Sequence, residues 1–303
     1  KCLDLFSGKT LNNIVVNHEL QTVNFKASRG LRFPLDIGLA GPVSSTVLSD
    51  SIFRYGSDIE RYPAISQLLN RDPPQLKGLE KGTSLLKFKS LNQFNNLVSM
   101  LDRSLVFVQG PPGTGKTFLT SRVIVDLISQ GYKIGVTSNS HKAILNMLLK
   151  IVNHAEDENV VFRGAKKSSK DDTSQHFSST LEKNLYISDV FKVDELIDGD
   201  FDLLAGTAWF FANERLNQKI DYLIIEEAGQ MSLATAIAAG TCAKNLILVG
   251  DQNQLEQPIQ GIHPNDSGMS VINYYLKKDE NSEEIHAVVP EDKGVFLDRT
   301  HRL

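Results

Sequence analysis

Cysteine is nearly missing from this chain. Only Cys2 and Cys242 occur in 303 residues, far apart and without a Cys-x-x-Cys or histidine-rich partner. Neither a disulfide framework nor a zinc or iron-sulfur centre is supported, so a reducing, intracellular setting is the default expectation. No apolar run is long enough to cross a membrane. The opening Lys1-Cys2-Leu3-Asp4 leads to polar Ser7 to Thr10 rather than to the apolar stretch of a secretory signal. Basic charge is not in excess either: 32 Lys and Arg face 36 Asp and Glu, a formal net charge of −4. This argues against a protein that holds nucleic acid by bulk positive charge alone, while leaving room for a local basic groove. There is no internal repeat.

What is present begins with Gly110-Pro111-Pro112-Gly113-Thr114-Gly115-Lys116-Thr117, directly after the apolar Leu105-Val106-Phe107-Val108. This is a complete P-loop in the strand-loop-helix setting that it needs. Its glycines let the backbone curl so that successive N–H groups aim at phosphate oxygens. Lys116 reaches the β and γ phosphates, and the Thr117 hydroxyl is placed for Mg²⁺. The helix that opens there adds its positive end to the cradle. ATP and Mg²⁺ are the expected ligands. Ser7-Gly8-Lys9-Thr10 lacks the upstream glycine and the incoming strand, and reads as a turn.

From Leu105 onward short apolar runs alternate with helical patterns, which predicts an α/β fold built on a parallel sheet with helices on both faces. Expected strands are Leu105 to Gln109, Lys133 to Ser138, Asp202 to Gly206, Asp221 to Glu226 and Lys244 to Gly250. Leu119, Val123, Leu127 and Ile128 share one helical face, and Ala143, Ile144, Met147, Leu148, Ile151 and Val152 form a second apolar stripe. Ala165 to His176 reads as a solvated loop rather than a basic nucleic-acid contact. Trp209-Phe210-Phe211 reads as core packing rather than a base-stacking platform. The expected organisation is a small β accessory unit at 1–41, a helical stalk at 42–90 with two helices broken near Tyr62-Pro63, and an ATP-binding domain at 91–303.

A strand ending in carboxylates is the second requirement of nucleotide hydrolysis, and Leu223-Ile224-Ile225-Glu226-Glu227 supplies one. Glu226 is the metal-side carboxylate, usually acting through the ion's water, and Glu227 is the group that orients or deprotonates the attacking water. With these residues in view, the chain resembles the first RecA-like motor domain of superfamily 1 helicases. The resemblance is to the subgroup of the nonsense-mediated-decay helicase and the nuclease-helicase of Okazaki-fragment maturation. Leu91-Asn92-Gln93, sixteen residues before Gln109, resembles the Q-motif, implying that Gln93 reads the adenine edge. Thr137 to Ala143 resembles motif Ia and Gly206-Thr207-Ala208 motif Ic. They imply backbone contacts to single-stranded nucleic acid from Asn139, Ser140, His141 and Thr207, with Ser140 also a plausible cap of the helix that follows. Val249 to Leu255 reproduces motif III, implying that Gln254 senses the γ-phosphate. Phe296 to Leu303 resembles the start of motif IV, implying an arginine near that phosphate at Arg302.

Tyr62-Pro63-Ala64-Ile65 through Pro73-Pro74, the Ser138 to Lys142 version of motif Ia, and Gln260 to Pro264 resemble a bacterial subgroup in which a RecB-like nuclease precedes the helicase. That resemblance implies a cytoplasmic bacterial protein acting 5′-to-3′, on DNA more readily than RNA, with a nuclease upstream of Lys1 and a second RecA-like motor domain beyond Leu303. The usual Asp-Glu pair is Glu226-Glu227 here. One extra methylene still allows contact with Mg²⁺ through water. The missing second domain would bring another arginine, so the isolated chain is expected to hydrolyse ATP feebly. The alternatives are a nucleotide-dependent nucleic-acid clamp that does not unwind, and another kind of P-loop ATPase.

Overall fold

The computed structural model describes residues 2–4, 10–17, 22–26, 37–39, 44–88, 90–181, 184–254, 264–279 and 284–299. The chain divides into two compact units, Lys1–Ser45 and Thr46–Leu303. In the first, β1 (Cys2–Asp4), β2 (Thr10–Asn17), β3 (Thr22–Lys26) and β4 (Ile37–Leu39) pair antiparallel in the order β3-β2-β1-β4. The β2–β3 register shifts between Asn12 and Val15. Of Ser7 to Thr10, read as a turn, the first three lie outside the described residues, while Thr10 instead opens β2, where it pairs with Leu3.

The second unit opens with α1 (Thr46–Ser57), a 3₁₀ turn at Ile59–Arg61 and α2 (Pro63–Asn70). Pro63 occupies the first helical position, where a missing N–H costs nothing. Arg71 closes α2 in the left-handed region, and Asp72-Pro73-Pro74 keeps the chain from continuing as helix. After α3 (Leu91–Ser99) come the sheet strands β5 (Leu105–Gln109), β6 (Ile134–Thr137), β7 (Gly164–Lys167), β8 (Ile187–Val190), β9 (Leu203–Gly206), β10 (Ile220–Glu226), β11 (Ala243–Gly250) and β12 (Gly294–Phe296). All pair in parallel, in the order β12-β5-β11-β10-β6-β9-β7-β8. The connecting helices are α4 (Lys116–Ser129), α5 (His141–Asp157), α6 (Val193–Asp198), α7 (Ala208–Phe211), α8 (Leu233–Gly240) and α9 (Val271–Tyr275).

Successive side chains of a strand point to opposite faces, and here that alternation splits the core in two. Leu105 and Phe107 of β5, Leu223 and Ile225 of β10, and Leu246 and Leu248 of β11 belong to one cluster, closed by α1, α2, α7, α8 and α9. Val106, Val108, Ile224, Ile247 and Val249 belong to the other, closed by α3, α4 and α5. Both predicted helical stripes are buried in the second cluster or against it. The doubly covered parallel sheet expected from the sequence is therefore the fold observed. Among the described residues no helix is long and apolar enough to cross a membrane.

Three strands were not expected. Ala165 to Lys167, read as the start of a solvated loop, lies in β7, between β9 and β8, and the Lys166 side chain is fully buried. Gly-Ala-Lys-Lys carries no apolar pattern from which a strand can be read, and its place in the sheet comes from backbone pairing with β8 and β9. β8 (Ile-Ser-Asp-Val) and the three-residue β12 are equally short of apolar signal.

Candidate functional site

Because the sheet is parallel, its strand ends gather along one edge, and the predicted motifs follow β5, β6, β9, β10 and β11 there. At β5, the backbone of Gly110 donates to Gly250 O (3.2 Å), and Leu297 N donates to Gln109 O (2.8 Å). The loop is thus anchored between the ends of β11 and β12. Pro111 and Pro112 have no N–H to offer, so the donors of the cradle come from Gly113 onward. Gly113 (φ 87°) and Gly115 (φ 84°) lie in the left-handed region, which lets the chain curl into α4. Thr114 Oγ1 donates to Pro111 O at 2.9 Å and holds the curl. The Lys116 ammonium donates to Gly110 O and, at 3.1 Å, to Pro111 O. Burial lowers its pKa, opposed by the charges of Asp251, Glu226 and Glu227.

Thr117 Oγ1 donates to Glu226 Oε1 at 2.7 Å, joining the P-loop helix to the last residue of β10. Glu226 is only 6% exposed, and its Oε2 has no hydrogen-bond partner. Burial pushes its carboxyl up to about 7, against the Thr117 bond, with Glu227 adding to the rise. A buried, unpartnered carboxylate oxygen beside a hydroxyl suits a hard divalent cation. Among the described residues no group of three or more His, Cys, Asp or Glu is disposed to hold a metal. An ion at Glu226 and Thr117 would therefore complete its shell with phosphate and water, as Mg²⁺ does.

Glu227 leaves the strand in the left-handed region (φ 53°, ψ 42°), which turns its side chain away from the path of β10. It is half-buried, and burial raises its pKa while Lys116 pulls it down. The following turn packs tightly on motif III: a Cβ at Gly229 would lie 2.6 Å from the Asp251 carbonyl. Asp251 is buried and accepts from Asn253 N at 3.0 Å, and Gln254 N reaches the Asp251 carbonyl at 3.4 Å. Gln254 Oε1 is buried without a partner.

Gln93 sits in the first turn of α3, where its Oε1 accepts from Ser90 Oγ at 2.8 Å and completes a capping box. It also lines a cleft of about 520 Å³ with Thr114, Gly115, Phe118 and Arg299. Arg302, like 255–263 and 300–303, lies outside the described residues. Three residues of this end were not singled out from the sequence. Arg299 is the described arginine of motif IV in the cleft. Asp251 is the carboxylate that most strongly favours the charged form of Lys116. Gln109 is buried and ties β5 to the stretch before β12 through Ala287 O (3.1 Å) and Val289 N (2.5 Å). A polar residue closing an apolar strand immediately before the P-loop was the available signal for Gln109.

The other expected contacts gather farther along the edge. Asn139 Nδ2 donates to Gln230 O at 2.6 Å, reaching the turn after Glu227. Ser140 caps α5 as its sequence suggests, accepting from Ala143 N at 3.3 Å. His141 and Thr207 line one cleft with Lys167, Ser168 and Trp209. Burial, and next the charge of Lys166, push the His141 pKa down to about 4, so the ring is neutral at pH 7. Lys166 Nζ lies 3.4 Å from His141 Nδ1 and donates to Ser168 Oγ at 3.1 Å. Burial lowers its pKa to about 8 against the pull of Asp189. The aromatic triplet divides: Phe210 and Phe211 are core, as expected, but Trp209 is 39% exposed. In the short α7 the three side chains fan around the axis and cannot all face inward.

Residues 92–262, more than half of the chain, match the protein family described as AAA domain. The chain belongs to this family. The chain is similar to the DNA replication ATP-dependent helicase/nuclease DNA2 of Saccharomyces cerevisiae, with 30% identity over 195 residues, 61% of this chain and 12% of that one. Its counterpart in Schizosaccharomyces pombe is 25% identical over 287 residues, 89% of this chain and 19% of that one. The ATP-dependent helicase NAM7 of Saccharomyces cerevisiae is 30% identical over 225 residues, 63% of this chain and 23% of that one. The chain thus spans less than a quarter of each of these relatives. The expected kinship with superfamily 1 motor domains is borne out. The expected bacterial source finds no support, since these relatives are eukaryotic.

Proposed function

We propose that this chain is the ATP-binding motor half of an ATP-dependent helicase or translocase, coupling hydrolysis to movement on single-stranded nucleic acid. The bond from Thr117 to Glu226, whose second oxygen is buried without a partner, carries the reading. It joins the phosphate cradle to the acidic strand end at the atoms a nucleotide-bound cation needs. The N–H groups from Gly113 to Thr117, with the α4 N-terminus and the Lys116 ammonium, hold and orient the phosphates. When bound at Thr117 and Glu226, Mg²⁺ supplies charge neutralisation at the β and γ oxygens. Glu227 takes the proton of the attacking water. The burial that raises its pKa brings it nearer the value at which a general base works best at neutral pH. Gln254, in the turn packed on the Glu227 loop, is the proposed reporter of the γ-phosphate. Gln93 is the proposed adenine reader, and Arg302 a proposed phosphate partner.

Asn139, Ser140, His141 and Thr207 are the proposed strand contacts. DNA is the favoured strand because two of the relatives carry DNA replication in their names, and their helicase/nuclease names support an accompanying nuclease in the whole polypeptide. The 5′-to-3′ polarity and the second RecA-like motor domain follow from the family resemblance, and the division into a β accessory unit, a helical stalk and the motor is proposed from the sequence pattern. The test is a titration of a fluorescent ATP analogue with Mg²⁺ against wild type and Lys116→Ala, followed by ATP turnover with and without single strands. We expect at least about tenfold weaker binding in the variant and turnover stimulated by the strand. Equal affinities would sink the assignment.

A further inference from the structure

The cleft that collects His141 and Thr207 contains more than those two residues. Its volume is about 260 Å³, and Lys167, Ser168, Ser169 and Trp209 complete its principal walls. Trp209 lies 39% exposed beside two buried phenylalanines. A large ring left at the surface beside basic and hydroxyl groups has the composition of a single-strand site, where stacking on a π face is indifferent to sequence.

The opposite wall comes from the end of β7. Lys167 Nζ donates to Ser168 O at 3.0 Å, which sets its ammonium against the cleft. Beneath it Lys166 is fully buried and reaches Ser168 Oγ, Lys167 O and His141 Nδ1, at 3.1, 3.4 and 3.4 Å. The Asp189 carboxylate, whose charge acts on Lys166, accepts from Ser168 Oγ at 2.8 Å and from Phe177 N and Ser178 N at 2.9 Å each. Two lysine charges thus stand at or under one wall, with Asp189 and Asp172 offsetting part of the buried Lys166 charge, and an indole stands on another wall.

We propose that this cleft is a nucleotide subsite of the strand track, in which Trp209 stacks one base and Lys167 holds the adjoining phosphate. The inference rests on the reading of the chain as a single-strand motor, and it adds a base contact to a track otherwise made of backbone contacts. It also assigns Lys166 a part: a buried positive charge that supports the phosphate from below while fixing Ser168 and His141.

The chain carries a single tryptophan beside seven tyrosines, so emission excited selectively at the indole reports on this cleft. A labelled single-stranded DNA of mixed sequence is titrated into the unmodified protein, following anisotropy of the label and tryptophan emission together. The expected result is quenching that saturates with the anisotropy. An abasic strand of the same length, with its phosphates intact, is expected to bind more weakly and to leave the emission unchanged. Trp209→Ala is expected to weaken binding by roughly tenfold to a hundredfold, with partial recovery in Trp209→Phe. Lys167→Ala is expected to lower the slope of log affinity against log salt by about 0.7. A strand that binds with unquenched emission, and equally well to Trp209→Ala, overturns the subsite while leaving the motor reading intact. Absence of strand binding at every salt concentration overturns both.

Discussion

Two ends of one sheet edge hold opposite charges out of water. At the nucleotide end the last residue of β10, Glu226, buries a carboxylate whose pKa is pushed up to about 7. At the end of the proposed strand track β7 buries an ammonium, Lys166, pushed down to about 8. Desolvation is the leading cause in both, and it acts against whichever form is charged. A buried anion with an unpartnered oxygen is complementary to a metal ion. A buried cation below a cleft with a second lysine is complementary to a phosphate. The ends also differ in material. The nucleotide end is built largely from backbone, with left-handed glycines and strand termini, on strands buried on both faces. The end of the proposed track is built from side chains on the short β7, one strand in from the sheet edge, and on residues around helix starts. The same fold therefore supplies a site whose geometry is rigidly inherited and a site whose character depends on individual side chains.

The largest effect that tests this contrast is catalytic. In the full-length protein Glu227→Gln should leave nucleotide affinity close to wild type and reduce turnover by about 10²- to 10⁴-fold, measured by steady-state phosphate release. Normal hydrolysis by that variant would misplace the general base. Next comes stability. Phe107 is fully buried at the centre of β5, so Phe107→Ala should cost about 3–5 kcal/mol in urea unfolding. At the outer end, by contrast, Lys166→Met removes a buried charge and keeps the volume, and should stabilise rather than destabilise while weakening strand binding.

The smallest effects have opposite pH signatures. The folded-state pKa of Glu226 is raised above its ordinary 4.5, so its charge is an increasing burden as pH rises from 4.5 to 7. Glu226→Gln should therefore raise the urea midpoint above pH 7, on the order of 1 kcal/mol, with the gain vanishing below 4.5. Mg²⁺-dependent nucleotide binding should fall in the same variant. For Lys166 the folded-state value lies below the ordinary 10.5, so the burden is full below pH 8 and lifts between 8 and 10.5. The gain from Lys166→Met should follow that window, again on the order of 1 kcal/mol. Gains that track the same pH window in both variants would break the comparison, because two groups of opposite charge cannot share one titration direction.

Legibility followed the same division. Leu105 to Gln109 and the two helical stripes of α4 and α5 were readable because burial on a parallel sheet demands apolar side chains at fixed periods. Lys116, Thr117, Glu226 and Glu227 were readable because their spacing encodes a backbone path, and the fold brings all four together. Lys166 gave no such sign. In sequence it is one lysine in a polar stretch, and its burial depends on β8 and β9 closing over it from positions about twenty and forty residues later. Trp209 departs from the core expectation for a related reason. Composition marks an aromatic triplet as core material, but which of three adjacent side chains stays outside is set by the packing of the helix that carries them.

The amino-acid sequence by itself determined the α/β class, the parallel sheet covered on both faces and the nucleotide cradle, since all of these arise from local periodicity, glycine placement and short motifs. Only the tertiary structure decided that β7 enters the sheet, that Lys166 is buried beside His141, that Glu226 has an oxygen without a partner and that Trp209 shares a cleft with Lys167. Those are meetings of residues distant in the chain, and the desolvation that gives them their chemistry exists only once the fold has removed the water between them.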